Sequence, residues 1–259
     1  MEIFSTELPR KAVKAVVFDW DGTISTLRYD WESLMGPMMV ELIGDDSEDK
    51  VRDYINESAG IQTIFQMKWL AEQVKERYGE AEDPWVYKAE YNRRLMENVT
   101  RRRADLKSGA VSREDYLMAG SEDLLKALVD RGITLYAASG TDDPDVKADA
   151  AALGMDGYFI RIAGAPPGIE DCSKEKILRE LLDTDLNSDE LAVVGDGKVE
   201  IQIGRESGAR TLGVASDEIS LCGINPVKHD RLRKAGADAI TGDFLDLDSI
   251  LTFFTGEIF

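Results

Sequence analysis

Val16-Val17-Phe18-Asp19-Trp20-Asp21-Gly22-Thr23 is an apolar run that ends in two acids one residue apart, then a glycine and a threonine. Apolar residues without alternation read as a strand buried on both faces of a parallel sheet. Carboxylates at the end of such a strand project into the crevice where open α/β sheets bind ligands. Two of them so close together can hold a hard cation, or divide the work so that one stays ionised while the other shuttles a proton. An isolated Asp-x-Asp-Gly is more often a solvated turn, so its meaning depends on what else the chain brings to the same edge.

Working outward, further short apolar runs at 13–18, 133–138, 159–163, 191–194 and 211–215 read as strands of that sheet. Helical stretches alternate with them. Ser121 is placed to cap a helix over 122–131 that Gly132 ends, Asp143-Pro144 open one that Gly154 closes, and Ser173 stands before one over 174–182. The rhythm breaks over 26–120, where amphipathic helices are predicted at 31–43, 61–78 and 84–106 with no β-rich run between them. The expectation is an α/β protein: a doubly wound, mainly parallel sheet built from 1–25 and 121–259, with a helical insert at 26–120.

Composition narrows the function. The 259 residues carry a net charge of −19, which repels a nucleic-acid backbone or an anionic membrane surface. The insert is the less acidic part, at −5 against −14 for the remainder. A single histidine, His229, sets aside Ser-His-Asp hydrolysis and histidine-rich zinc sites. Cys172 and Cys222 lie far apart with no CxxC spacing, as expected of reduced thiols. No apolar run approaches a membrane span and the N-terminus lacks a basic leader, so a soluble, cytoplasmic protein is expected.

Three more motifs fall at predicted strand ends or the helices that follow. Ala138-Ser139-Gly140-Thr141 offers a hydroxyl and backbone N–H groups that can hold phosphate oxygens. Lys174 sits in the first turn of a helix, where its charge opposes the helix dipole and a phosphate would want it. Val193-Val194-Gly195-Asp196-Gly197 supplies a third acid, with Glu200 one turn beyond. Glu200 is also favoured there by the dipole alone.

Asp19-x-Asp21-Gly22-Thr23, Ser139, Lys174 and Gly195-Asp196-x-x-x-Glu200, in that order, resemble the four motifs of the haloacid dehalogenase superfamily of phosphatases. The insert falls where that superfamily has its C1-type helical cap. Gly154-Met155-Asp156-Gly157-Tyr158-Phe159 is similar to a turn of the phosphoglycolate phosphatase-like branch. The resemblance implies a Rossmannoid core, Asp19 as nucleophile forming an aspartyl-phosphate, and Asp21 as acid and then base. It implies Mg²⁺ held by Asp19, Asp196 and the main-chain oxygen of Asp21, with Glu200 at the metal. Ser139, Gly140 and Lys174 would grip the phosphoryl oxygens, with Thr23 supporting the loop and touching the phosphate. The substrate would be a small phosphorylated metabolite, a sugar phosphate or phosphoglycolate-like acid.

The chain departs from the pattern at Glu200, where the family usually has Asp. Lys176 is a second candidate for the phosphate lysine. Phe18-Asp19-Trp20 resembles the phosphonatase opening, but phosphonatases carry Ala where Asp21 stands, so the resemblance favours phosphate esters. A phosphomutase of β-phosphoglucomutase type would use the same two acids, and a fold that has lost turnover would be a binding module.

In the insert, specificity is expected to reside. Between 88 and 107 seven bases face three acids, either guiding an anion or, as favoured here, forming a solvated helix face. Trp31, Trp69 and Trp85 read as apolar packing of the insert. Arg28, at the hinge, is its first candidate for substrate contact, and His229 reads as a surface residue.

Overall fold

The computed structural model describes residues 1–4, 11–170, 173–183 and 186–256, with the side chain at 173 outside the description. Seven strands form one sheet in the order β1-β7-β6-β5-β2-β3-β4, from β1 (Glu2–Ile3), β2 (Ala15–Phe18), β3 (Thr134–Asp142), β4 (Arg161–Ala165), β5 (Leu191–Gly195), β6 (Arg210–Val214) and β7 (Ala239–Thr241). Every pairing is parallel except β1 with β7. β2 lies between β3 and β5, with Phe18 opposite both Ala137 and Val194. That register brings Asp19, Ser139 and Asp196 out at one edge of the sheet.

The central strands are buried on both faces, which explains their unbroken apolar sequence. Val16 and Phe18 pack into one cluster with Leu124, Leu125, Val146 and Phe254. Ala15 and Val17 face the opposite side, against Ile177, Leu178 and Leu181. The helices that cover these faces are α5 (Ser121–Asp130), α6 (Asp143–Leu153), α7 (Ser173–Leu182), α8 (Lys198–Glu206), α9 (Pro226–Ala235) and α10 (Leu247–Thr255). Between β2 and β3 come α1 (Trp31–Ile43), α2 (Glu48–Ser58), α3 (Thr63–Tyr78) and α4 (Pro84–Ser108). These four bury an apolar cluster of their own around Met35, Met38, Met67, Leu70 and Val99. Among the described residues no helix is long and apolar enough to cross a membrane.

Several local details differ from the sequence expectation. α2 was not expected, because its mean hydropathy is low and only Val51, Ile55 and Ser58 are buried. β4 starts at Arg161, two residues late, since Phe159 turns inward to meet the edges of Phe18 and Trp20 at 6.2 and 6.0 Å. Ser121 does not cap α5: it is the first helical residue, and Gly120 precedes it in the left-handed region at φ 78°. The side-chain cap expected from Ser173 lies outside the described residues, as does Cys172. Gly154 ends α6 as expected, at φ 67° with its N–H on the carbonyls of Ala150 and Ala151.

Candidate active site

The chain leaves β2 through a tight turn in which the Trp20 carbonyl accepts the N–H groups of Ile24 at 2.9 Å and Ser25 at 3.0 Å. The Trp20 side chain is wholly buried, so Asp19 and Asp21 on either side of it are turned the other way. The turn requires glycine at 22: φ is +72°, and a Cβ there would lie 2.5 Å from Asp196 Oδ2. The loops after β2 and β5 are thereby in contact.

Asp19 accepts the Trp20 N–H at 2.8 Å through Oδ1, and its Oδ2 lies 3.0 Å from Lys174 Nζ. The same ammonium is 3.0 Å from Glu200 Oε2, while Glu200 Oε1 accepts the Gly197 N–H at 2.5 Å. Lys174 and Glu200 are both buried; Lys176 is exposed, which separates the two candidate lysines. Burial alone would push the Lys174 ammonium down, but Asp19 and Glu200 together hold it above the usual lysine range. Burial raises the Asp19 carboxyl well above its ordinary range despite that lysine.

Asp21 is held by hydroxyls. Its Oδ2 accepts from Ser139 Oγ at 3.0 Å and Thr141 Oγ1 at 2.9 Å, and Ser139 Oγ accepts the Thr141 N–H at 3.0 Å. Its Oδ1 is buried with no hydrogen-bond partner, 3.8 Å from Arg28 Nε. Burial pushes this carboxyl up to about 6, against the pull of Arg28 and the two hydroxyls. It is thus the acid of the pair with a proton close to neutrality.

Asp196 meets a second lysine, which sequence reasoning missed. Lys228 Nζ lies 2.7 Å from Asp196 Oδ2, 2.6 Å from Glu218 Oε1 and 2.9 Å from Ser216 Oγ. Burial would raise Asp196, but Lys228 and Arg231 lower it. Lys228 falls in the first turn of α9, the same dipole-opposed position that singled out Lys174, so the signal was present. Lys228 and His229 share a segment read as polar surface; His229 is half-buried, 3.3 Å from Glu2 and edge-on to Phe4.

A cavity of about 110 Å³ lies over this edge, lined by Asp19, Asp21, Ser139, Gly140, Lys174 and Asp196 together with Arg28. The helical insert comes close to this edge at Gly140, where a Cβ would lie 3.2 Å from the Ile61 carbonyl oxygen. Glu200 stands behind Lys174 and is not part of the wall; Thr23 is wholly buried away from it. The insert contributes Trp31, Gln66, Tyr91 and Asn92 to the wall.

The bases of α4 do not form a uniformly solvated face. Lys88 Nζ meets Asp142 Oδ1 at 2.5 Å, Arg102 donates to the Leu27 carbonyl at 2.7 Å, and Arg103 Nε meets Asp149 Oδ1 at 2.6 Å. Arg93 and Arg94 do stay outside, paired with Glu90. Of the tryptophans, Trp69 stacks on Tyr54 at 3.8 Å, Trp85 carries Lys88 5.1 Å from its ring, and Trp31 reaches the cavity.

One carboxylate oxygen each from Asp19, Asp196 and Glu200 lie within 4.8 Å of one another. An all-oxygen, multiply anionic donor set of this kind suits a hard divalent cation such as Mg²⁺.

A model of haloacid dehalogenase-like hydrolases matches residues 13–208 of the chain. Similar solved structures include a predicted phosphatase from Clostridium acetobutylicum, 19% identical with a TM-score of 0.63, covering 93% of this chain and 99% of that one. A β-phosphoglucomutase from Clostridium difficile is 18% identical with a TM-score of 0.62, over 93% and 97%. A phosphonoacetaldehyde hydrolase-like protein from Oleispira antarctica is 17% identical with a TM-score of 0.64, over the whole of both chains. At such identities the likeness is one of fold. No curated protein sequence matches the chain.

Proposed function

The chain belongs to the haloacid dehalogenase-like hydrolases, and from that premise we propose that it is a phosphatase of a small phosphorylated metabolite, working through Asp19. The observation that carries the reading is the convergence of Asp19, Asp21, Lys174 and Asp196 on one small cavity at the carboxyl edge of the sheet. In this reading 1–25 and 121–259 form the catalytic core, and 26–120 is a cap that closes over it.

An Asp19 oxygen attacks phosphorus and the bond from phosphorus to the ester oxygen breaks, while Asp21 gives its proton to the departing oxygen. Water then attacks the aspartyl-phosphate and passes a proton to Asp21, and the bond to Asp19 breaks to release inorganic phosphate. Lys174, fixed between Asp19 and Glu200, neutralises charge on the transferred group. Asp19, Asp196 and Glu200 are the residues that would hold Mg²⁺. When bound it would supply further neutralisation of the phosphoryl oxygens. Ser139 and Thr141 orient Asp21 through hydrogen bonds to its Oδ2.

The lining supports a phosphorylated substrate, since Arg28, Lys174, Lys228 and Arg231 face the cavity together with the polar side chains of Gln66 and Asn92. A phosphoryl group with a short hydroxylated or acidic carbon chain is the class that fits. The test is a phosphate-release screen with Mg²⁺ over sugar phosphates and short phosphorylated acids, run on wild type and Asp19→Asn. Release by wild type alone supports the reading. Isomerisation of a sugar phosphate without phosphate release would make it a mutase, and silence from both proteins would leave the fold without this activity.

A further inference from the structure

The ammonium of Lys228 lies among three oxygens at 2.6 to 2.9 Å, two of them carboxylate oxygens of Asp196 and Glu218 and the third Ser216 Oγ. Ser216 in turn donates to the Gly22 carbonyl at 2.5 Å, so this one cation joins the loops after β2, β5 and β6. Its side chain is only 11% exposed, and its place in the first turn of α9 opposes the helix dipole. Nothing in α9 itself accounts for a lysine there.

We propose that Lys228 is a positioning residue that acts as a resident cation of the site, reserving one oxygen of Asp196 and holding down affinity for a free divalent ion until a phosphoryl group is bound. The proposal rests on the phosphatase reading, in which Asp19, Asp196 and Glu200 hold the ion. Lys228 already stands on Asp196 Oδ2, and Arg231 donates to the Asp196 carbonyl at 3.0 Å. A divalent ion that takes Asp196 as a ligand meets the Lys228 ammonium on the same carboxylate, and a phosphoryl dianion beside both offsets the like charges. Ion and phosphate therefore assist each other's binding, reciprocally.

The measurement is Mn²⁺ binding to the full chain, read by electron paramagnetic resonance of the free ion, with and without inorganic phosphate. Without phosphate, Lys228→Met is expected to bind Mn²⁺ about tenfold tighter than wild type or more, because a like charge near the ion is gone. Phosphate should then strengthen Mn²⁺ binding less in the variant than in wild type. Lys228→Arg, which keeps the charge, should retain wild-type affinity. The same gain is expected when Lys228→Met is added to Glu218→Gln, a background with no acid left unpaired at 218, so the comparison survives should the single variant fail to fold. Unchanged or weaker Mn²⁺ binding in both backgrounds overturns the proposal, since a merely structural lysine would only loosen the site. Absence of Mn²⁺ binding from every protein overturns it too, and Asp19-dependent phosphate release by wild type shows whether the phosphatase reading falls with it.

Discussion

Nε of Arg28 lies 2.8 Å from Oδ2 of Asp149 and 3.8 Å from Oδ1 of Asp21, so one guanidinium links a wholly buried carboxylate of α6 to the buried oxygen of the second acid. Asp149 also receives Arg103 of α4 on its other oxygen, at 2.6 Å. Arg28 was expected to contact substrate. Its shortest ion pair is with Asp149, and it also lines the cavity, where it is part of the charge balance around Asp21.

Replacing Asp149 with Ala strands two cations, of which Arg28 is almost fully buried. Breaking a buried pair from one side costs about 3–5 kcal/mol. A loss of that order in urea unfolding is expected, together with a downward shift of Asp21, because Asp149 is one of the groups that raise it. Wild-type stability in the variant would show that Asp149 holds neither cation.

Asp21→Asn should abolish phosphate release and stabilise the fold. The folded carboxyl titrates near 6 against 3.8 for an ordinary aspartate, because burial penalises its charge. Stability is therefore lost as pH rises from about 4 through about 6, and the penalty is complete above that range. The neutral amide escapes it at every pH. At pH 8 the variant is expected to exceed wild type by about 2 kcal/mol, with the advantage gone below pH 4. Equal unfolding midpoints at pH 8 would contradict this.

Glu200→Asp restores the residue usual in the family but should harm this protein. Glu200 uses both oxygens, one on the Gly197 N–H and one on Lys174. A side chain shorter by one methylene cannot reach both, so Lys174 loses one of its two anchors. Activity is expected to fall about 10- to 100-fold, with Lys174→Met falling further. A gain in kcat on Glu200→Asp would mean that the longer acid is a handicap instead of a matched part.

The sheet and its edge were legible because buried parallel strands and the residues just after them carry unbroken local patterns: 16–23, 138–141 and 193–197 each announce strand and turn within a few residues. Lys174 was legible from its awkward place in a helix. What escaped are the partners supplied at long range by residues with ordinary local roles. Asp149 lies in an alanine-rich helix, Glu218 in an irregular loop, and Thr141 shares Asp21 with Ser139 only because β3 continues past Ala138 to Asp142. The inward turn of Lys88, Arg102 and Arg103 was likewise illegible, since charge counting along a helix does not say which side a neighbouring layer will cover.

Lys88 tests whether the helical insert is latched to the sheet. Its ammonium meets Asp142 Oδ1 at 2.5 Å, while Asn92, one turn on in α4, donates to Asp142 Oδ2 at 2.9 Å. Asp142 stands at the start of α6 yet makes no side-chain cap there, so its carboxylate serves the contact across to α4 instead of its own helix. The Lys88 side chain is only 7% exposed and Asp142 21%, so water screens the pair weakly. A double-mutant cycle of Lys88→Met and Asp142→Asn is expected to give a coupling of about 1–3 kcal/mol. Each single variant should also expose the segments joining insert to core, cut faster by protease than in wild type, and raise KM for any substrate that needs the cavity closed. Additive stabilities with unchanged cleavage rates would show that the insert is held by its other contacts, Arg103 with Asp149 foremost, and that Lys88 is not the latch.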